Sequence, residues 1–345
     1  MIPPPAKKYG PPSKILIVII KDIGDVLLSA PCAEIIKKNF PSARVDYLAE
    51  ARCAPVLQNN PFIDNIVIYD HKKPLKMICR IRAAGYDWVI DLLRNPRSSL
   101  LTALSGAKVR AGDMRNKHSF YAYNYRLQTP PEDLYGPDYK LHLLRQLGLK
   151  WDGAHAPLAK YYLTKDQLRE RDKSWLAAGV KPDEKIIGFY PTPRMETRRW
   201  PAKNFRELAQ MLHEQYSLKI FVFYGPGEED LAQAVVRDMP PYIQLAPEAK
   251  DLGALMALLG RLEVLIASCG GTKHMALAAG AATVTTHTAN RAQNWTPVFD
   301  PRHIAVSAQN TPCSPCFRHE CNNNFICMDD VSPRRVFEAA QKILG

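Results

Sequence analysis

The chain alternates short, wholly apolar segments with segments whose apolar residues recur at helical spacing, and this pattern limits the folds that it can adopt. The apolar run ILIVII is followed by the helix-like segment VLLSAPCAEIIKKNF, and RVDYLAE, NIVIYD and DWVIDLL come later as further strand-like segments. Strands that are apolar throughout are typical of parallel sheets covered by helices. The first half of the chain is therefore predicted to be a β-α-β domain.

The same alternation restarts after residue 180. The predicted strands are KIIGFYP, KIFVFYG, EVLIAS and TVTTHT, and the predicted helices are NFRELAQMLHEQY, EEDLAQAVVRDM, DLGALMALLGRL and HMALAAG. We predict an α/β protein of two Rossmann-like domains that face each other across a cleft, with ligands at the carboxyl ends of the strands. The predicted boundaries are a flexible, Pro-rich extension at residues 1–13, an N-terminal domain at 14–160 and a C-terminal domain at 161–345.

The apolar run at residues 15–20 is far shorter than the roughly 20 residues of a membrane-spanning helix. It has no small-residue cleavage site, and Lys21 and Asp22 follow it. We expect a cytoplasmic protein without a transmembrane segment.

Positive charge is concentrated in the first half of the chain. Of the net charge of +12, residues 1–150 carry +10, from 23 basic and 13 acidic residues. This asymmetry indicates that the first domain meets an anionic partner, and phospholipid, phosphorylated glycolipid and nucleic acid all fit. A basic surface that only improves solubility is the alternative. The chain has no nucleic-acid-binding motif with interleaved basic and aromatic residues, so we expect no nucleic acid partner.

The first strand-to-helix turn contains Gly24 and Asp25 but lacks the GxGxxG spacing, which argues against a dinucleotide-dependent dehydrogenase. A carboxylate at a helix N-terminus is stabilised in its ionised form. Asp25 could therefore accept a proton from an attacking hydroxyl. The alternative interpretation is that Asp25 only caps the helix.

Two later turns are candidates for phosphate binding. The loop YPTPRMETRRWPAKNF places Arg194, Arg198 and Arg199 between a strand and a helix, and guanidinium groups suit phosphate oxygens. The turn ASCGGTKHMALAAG has Gly270 and Gly271, which allow close approach of a pyrophosphate to the backbone. A solvated basic loop and an ordinary βα turn are the alternatives.

Four cysteines lie within one short segment of the C-terminal half: Cys313, Cys316, Cys321 and Cys327. In a reducing compartment such a cluster favours a structural metal over disulfides. The spacing lacks the two tight CxxC pairs of a zinc ribbon, so thiols that serve as small core residues are the alternative.

Taken in order, seven segments resemble glycosyltransferase family 9, the ADP-heptose:lipopolysaccharide heptosyltransferases. They are KILIVIIKDIGDVLLSAP, NPFIDNIVIYD, YDWVIDLLRNPRSSLLTALSGAKVRAG, RRWPAKNF, YGPGEEDLA, GGTKHMALAAG and NWTP. The resemblance runs from about residue 14 to the C-terminus, and the cysteine-rich tail is similar to a stretch of many members. It implies a GT-B fold, with an acceptor-binding N-terminal domain and a donor-binding C-terminal domain.

The resemblance also implies an inverting transfer without a catalytic metal or other cofactor. Asp25 matches the presumed base of the family, and Arg198 matches the position that neutralises the leaving diphosphate. Glu228 matches an acidic residue near the donor ribose, and Leu245 begins a stretch along the adenine. The remaining donor-binding candidates are Thr192, Arg194, Gly270, Gly271, Thr272, Lys273 and His274.

For the acceptor, the resemblance implies the anionic inner core of lipopolysaccharide at the cytoplasmic face of the inner membrane. The basic candidates to hold it are Arg94, Arg97, Arg110, Arg115 and Lys117. One departure concerns the donor: Cys269 stands where the family usually has an aspartate before the glycine pair. A different nucleotide-sugar, a later core or O-chain acceptor, and a catalytically silent sugar-nucleotide-binding protein are therefore alternatives to ADP-heptose transfer.

Overall fold

A computed structural model describes residues 3–345 and divides the chain into two compact units, one ending at Tyr162 and one beginning at Leu163. The division lies two residues from the boundary we expected. Among the described residues no helix is long and apolar enough to cross a membrane.

The first unit is a six-stranded, wholly parallel sheet with helices between the strands. Its elements are α1 (Pro5–Tyr9), β1 (Lys14–Val18), α2 (Ile23–Leu27), α3 (Pro31–Asn39), β2 (Arg44–Glu50), β3 (Asn65–Tyr69), α4 (Pro74–Ala83), β4 (Trp88–Asp91), α5 (Pro96–Leu104), β5 (Val109–Asp113), α6 (Ser119–Ala122), β6 (Tyr125–Leu127) and α7 (Gly136–Gln146). The strand order β3-β2-β1-β4-β5-β6 is that of a Rossmann fold.

The second unit repeats this topology. Its elements are α8 (Lys165–Ala177), β7 (Ile186–Tyr190), α9 (Ala202–Tyr216), β8 (Lys219–Val222), α10 (Glu229–Val236), β9 (Ile243–Leu245), α11 (Leu252–Leu259), β10 (Val264–Ser268), α12 (Gly271–Ala279), β11 (Ala282–His287), β12 (His303–Ser307), α13 (Ile326–Asp330) and α14 (Pro333–Leu344). The order β12-β11-β10-β7-β8-β9 is again the Rossmann order. Both predicted Rossmann-like domains are thereby confirmed.

The apolar strands form the buried centre of each unit. In the second unit, Phe189 of β7 packs with Trp200 and Phe205 under α9, and α14 adds Val336 and Phe337 to the same core. In a doubly wound sheet the strand order reverses next to the first strand, and loops diverge there to leave a crevice. The reversal lies between β1 and β4 in the first unit and between β7 and β10 in the second.

The N-terminal segment differs from the loose extension that we expected. Within residues 3–13, α1 forms with Pro5 buried. Ser13 donates from its backbone N–H and from its hydroxyl to the Asp87 carboxylate, at 2.8 and 2.6 Å. Proline fixes the backbone at the first helical position, and these bonds tie the segment to the sheet. Residues 1 and 2 lie outside the described part of the chain.

Candidate active site

Asp25 lies in the first turn of α2, just after the buried strand β1. The N-cap residue is Asp22, whose carboxylate binds Arg52 at 3.0 Å, so capping does not account for Asp25. The Asp25 carboxylate is about one-fifth exposed and pairs with Lys21 at 3.0 Å. Burial lowers the pKa of Lys140 in α7, and the charge of Asp25 opposes that shift. Asp25 is therefore a reachable carboxylate among lysines.

A basic pocket of about 410 Å³ opens at the carboxyl ends of β4 and β5. Arg94, Arg115 and Lys117 line it, together with the N-terminus of α5 at Asn95 and Pro96. Helix α5 has no acidic residue in its first turn, and its amides add partial positive charge to the same place. The pocket is suited to an anionic ligand.

The Arg94 guanidinium is held in place by the carboxylate of Asp113. Its Nη1 atom lies 2.9 Å from Asp113 Oδ2 and 3.0 Å from the Tyr139 hydroxyl, which also hydrogen bonds to Asp113. Burial alone would raise the pKa of Asp113, but hydrogen bonds from Thr129 and Tyr139 and the charge of Arg94 hold it below its ordinary value. Asp113 therefore stays ionised and fixes the position of Arg94.

The other two acceptor candidates lie elsewhere. Arg97 is exposed in the first turn of α5, with its guanidinium 5.9 Å from the centre of the Tyr69 ring. Arg110 is near the amino end of β5 and donates to the carbonyls of Ala107 and Ala122 at 3.3 and 3.2 Å. Strand β5 rises about 3.3 Å per residue, so Arg110 starts roughly 10 Å from Asp113 at the pocket edge. The structure does not bring Arg110 into the basic pocket.

Sequence reasoning missed a buried polar network beside this pocket. Tyr123 donates to the carboxylate of Asp91 at 2.7 Å, and Asn116 donates to Tyr123 and to Ser99, both at 2.7 Å. Burial raises the pKa of Asp91, against the hydrogen bonds that it accepts. The network joins β4, α5 and the loop before α6, and a polar residue at the end of an apolar strand is the signal that could have indicated it.

In the second unit, Glu228 is the centre of a cluster at the carboxyl ends of β7 and β8. Its Oε2 atom accepts hydrogen bonds from the hydroxyls of Tyr190 and Thr192 and from the backbone N–H of Gly225. Burial raises the pKa of Tyr190 to about 12, and the side chain of Thr272 also hydrogen bonds to this tyrosine. The predicted donor residues Thr192, Glu228 and Thr272 are thus brought together.

The glycine turn opens directly into helix α12. Gly270 is the N-cap and makes no side-chain cap, and Gly271, the first helical residue, is exposed. Thr272 is buried at the second position. An uncapped and accessible helix N-terminus favours anions.

We expected Lys273 and His274 to contact the donor directly. In the structure both side chains point into the unit instead. Each is 3% exposed. The ring centre of His274 lies 6.0 Å from that of Trp295. The ammonium of Lys273 donates to Thr296 Oγ1 at 2.8 Å and lies 3.4 Å from His287 Nε2. Helix positions three and four therefore face the sheet rather than the solvent.

The neighbours of Lys273 form a buried network that the sequence did not indicate. The ring of His287 lies 3.0 Å from Asn290 and 3.1 Å from Thr296, and Asn290 donates to the Cys269 thiol at 3.1 Å. Burial lowers the pKa of Lys273 to about 8, with Arg198 adding to that shift and Cys269 opposing it. Burial and the charge of Lys273 likewise hold the pKa of His287 well below 6.5.

The loop after β7 places Arg198 beside this network. The Arg198 side chain is partly exposed, and within residues 3–345 its Nε atom is buried without a hydrogen-bond partner. The Nε atom of Arg199 is likewise buried without a partner, whereas Arg194, nearer the start of the loop, is exposed. The backbone N–H of Trp200 donates to Ser268 Oγ at 3.0 Å, which fixes the loop against the glycine turn. A guanidinium with one unused donor therefore lies in the loop that is fixed against an uncapped helix N-terminus.

Leu245 ends β9 and is partly exposed, packed against the core of the second unit. It lies one strand beyond β8, which precedes the Glu228 cluster.

The four clustered cysteines line one pocket of about 250 Å³. Burial raises the pKa of Cys327 to about 11, and its three neighbours act in the same direction. Among residues 3–345, however, no group of three or more His, Cys, Asp or Glu side chains is arranged to hold a metal ion. The residues as placed do not fit the structural metal that we considered.

Comparisons with known proteins place these features in a family. The sequence profile of glycosyltransferase family 9 (heptosyltransferase) matches residues 75–326. Lipopolysaccharide heptosyltransferase 3 of Escherichia coli K12 is 24% identical over 338 residues, which cover 93% of this chain and 95% of that protein.

Two solved structures share the fold over nearly their whole length. One is the family 9 glycosyl transferase from Veillonella parvula, with a TM-score of 0.82, 20% identity and coverage of 96% of this chain and 97% of that one. The other is the E. coli ADP-heptose LPS heptosyltransferase II, with a TM-score of 0.78, 17% identity and coverage of 96% and 98%. The fold is the predicted GT-B type. The profile match spans well over half of the chain, and the protein therefore belongs to glycosyltransferase family 9 and is a glycosyltransferase.

Proposed function

We propose that this protein is an inverting, metal-independent heptosyltransferase that moves a heptose from ADP-heptose to the inner core of lipopolysaccharide. The observation that carries the proposal is the anion site of the second unit: the Arg198 guanidinium, whose Nε atom has no hydrogen-bond partner among residues 3–345, the uncapped N-terminus of α12 and the buried Lys273 ammonium. The names of the E. coli relatives supply the sugar, its nucleotide and the acceptor class.

The anion site is assigned to the diphosphate of the donor. As the bond between the sugar C1 and the diphosphate oxygen breaks, the electron pair stays on the leaving ADP, where negative charge accumulates. The helix amides and Arg198 provide positive charge that is already oriented toward that place. Glu228, oriented by Tyr190, Thr192 and Gly225, is left with its second oxygen to accept from a ribose hydroxyl.

In the same proposal, Asp25 of the first unit is the general base. It takes the proton of the acceptor hydroxyl while the oxygen forms a bond to C1 from the face opposite the departing ADP, which inverts the configuration. Lys21 pairs with this carboxylate at 3.0 Å, and the charge of Asp25 opposes the lowering of the Lys140 pKa by burial. The basic pocket of Arg94, Arg115 and Lys117 binds the anionic group of the acceptor, at the cytoplasmic surface of the inner membrane.

Because Cys269 stands where the family usually has an aspartate, the identity of the donor sugar has an alternative. The Cys269 thiol is buried and accepts from Asn290, so no carboxylate stands before the glycine pair. A family 9 transferase for another nucleotide-sugar, or for a later core or O-chain acceptor, would keep the diphosphate site and the base.

The proposal is tested first by calorimetric binding of ADP, UDP, GDP and CMP, each with and without magnesium. We expect a preference for ADP that does not depend on magnesium. The variant Arg198→Gln should bind ADP more weakly and lose about 10²-fold in turnover of ADP-heptose. Arg169→Gln, at an exposed arginine of α8 paired with Asp166, is the matched control and should behave as the wild type.

The outcomes separate the alternatives. Preference for another nucleotide would keep the fold and the chemistry but reject ADP-heptose. Binding of ADP-heptose without turnover on a lipopolysaccharide core acceptor would favour a silent binding protein. Full activity of Arg198→Gln would reject the assignment of the diphosphate site.

A further inference from the structure

Exposed apolar side chains are concentrated in one part of the first unit. Of thirteen large hydrophobic residues that are exposed within residues 3–345, five fall between positions 100 and 121. They are Leu100, Leu104, Met114, Phe120 and Tyr121. Phe120, at 74% exposure, is nearly as open as Leu75, which has the largest exposed fraction of the thirteen.

Four of these residues belong to two helices that pack against each other, and Met114 lies in the loop between β5 and α6. Leu100 and Leu104 are four positions apart on α5 and share one face of that helix. Phe120 and Tyr121 lie on α6, with ring centres 5.0 Å apart. Helices α5 and α6 are in contact, and Asn116 bonds across to Ser99 of α5. We call the five apolar residues the α5–α6 surface.

The charge around this surface is mostly positive. Residues 92–131 contain seven basic residues and a single acidic one, Asp113, and Glu132 just beyond them pairs with Arg115 at 3.0 Å. The carboxylate of Asp113 is fully buried and paired with Arg94, so it presents no negative charge to solvent. Arg97, Arg115 and Lys117 are exposed in the same stretch of chain. The combination is apolar and aromatic groups set in a basic field.

That combination suits one partner better than others. Aromatic side chains favour the headgroup region of a bilayer, and exposed basic residues are attracted to anionic lipids. A second copy of the chain would bring two basic surfaces together, which is repulsive. We propose that the α5–α6 surface docks the enzyme on an anionic membrane, with Phe120 and Tyr121 inserted among the headgroups.

Docking at this surface is consistent with a role of the basic pocket in binding a membrane-anchored acceptor. Arg115 and Lys117 lie both at the pocket and at the edge of the surface. A membrane-anchored acceptor therefore reaches the pocket from the same side as the lipid. This consequence rests on the proposed function, whereas lipid binding itself does not.

The test is co-sedimentation of the full-length protein with vesicles of phosphatidylglycerol and phosphatidylethanolamine, compared with vesicles of phosphatidylcholine. The wild type should bind the anionic vesicles at least tenfold more tightly, and added salt should weaken that binding. The double variant F120S/Y121S should lose at least tenfold. Leu176→Ser, at a leucine on α8 of the second unit that is 66% exposed, is the matched control and should bind as the wild type.

ADP binding by all variants serves as the measure of folding. If ADP binding persists and F120S/Y121S binds anionic vesicles as the wild type does, the proposal is overturned. Equal binding of the wild type to both vesicle types also overturns it. So does a wild-type dimer in sedimentation velocity that the double variant abolishes, since the surface would then serve a second copy. Loss of ADP binding by the wild type would instead contradict the proposed function.

Discussion

Replacing Lys273 by methionine should abolish a pH dependence of ADP binding that the wild type has. Burial lowers the pKa of Lys273 to about 8, with Arg198 adding to the shift and Cys269 opposing it. An anion at the N-terminus of α12 favours the ammonium form, so binding raises that pKa. Affinity should therefore be highest below pH 8 and fall as the pH rises through 8.

The magnitude follows from the fraction of free protein that carries the charge. With a pKa of about 8, roughly nine-tenths of Lys273 is charged at pH 7 and roughly one-tenth at pH 9. If the charged form is the one that binds ADP tightly, the apparent Kd rises about tenfold between these pH values. His287 does not contribute, because its lowered pKa keeps it neutral across this range.

The assay is calorimetric titration with ADP at half-unit steps from pH 7 to pH 9. Lys273→Met should give a Kd that is flat across the range and close to the wild-type value at pH 9. Its unfolding temperature should not fall, because methionine fills similar space without a charge to bury. Lys185→Met removes an exposed lysine just before β7 and should keep the tenfold change. A wild-type affinity that is constant from pH 7 to 9, or a tenfold change that survives in Lys273→Met, would refute the reasoning.

Three further substitutions test the remaining parts of the structure. Asp25→Asn should lower kcat by about 10²–10⁴-fold in steady-state kinetics without changing the Kd of ADP measured by calorimetry. The neighbouring Asp22→Asn should leave kcat unchanged. Glu228→Gln should weaken ADP binding by about 1–3 kcal/mol, because the amide disturbs three hydrogen bonds to one oxygen; unchanged calorimetric affinity would contradict this. Gly112→Ala should destabilise the first unit by about 1–3 kcal/mol in urea unfolding, because the new Cβ would lie 2.4 Å from the Tyr123 ring. An unshifted first transition would show that the ring can move aside.

The fold was readable from the sequence because parallel strands are buried on both faces. The run ILIVII overlaps β1, and EVLIAS contains β10. Each carries the apolar residues that only a covered sheet needs. The order of strands then follows from right-handed crossovers between consecutive parallel strands. The short α1 was missed, because its stability comes from contacts distant in sequence rather than from its own five residues.

The position of a site residue could be predicted where the residue follows a strand. The direction of its side chain could not be predicted where that direction depends on packing. Arg94 and Arg198 lie in the loops that follow β4 and β7, so their position at the carboxyl edge could be predicted. Arg110 lies near the amino end of β5, and the sequence did not define where that strand begins. The inward direction of Lys273 depends on His287 and on other partners from separate segments, which meet only in the folded unit.

The way in which the last helix completes the second unit has a consequence for synthesis on the ribosome. Val336 and Phe337 of α14 belong to the core of that unit, and the Trp200 indole donates to the carbonyl of Val331 at 2.7 Å. The first unit ends at Tyr162 and can fold while translation continues. At about 5–20 residues per second, it is finished roughly 10–40 s before the second unit has its final helix. During that interval the nascent second unit exposes the apolar side of α9, which makes it the part of the chain that most needs chaperone protection.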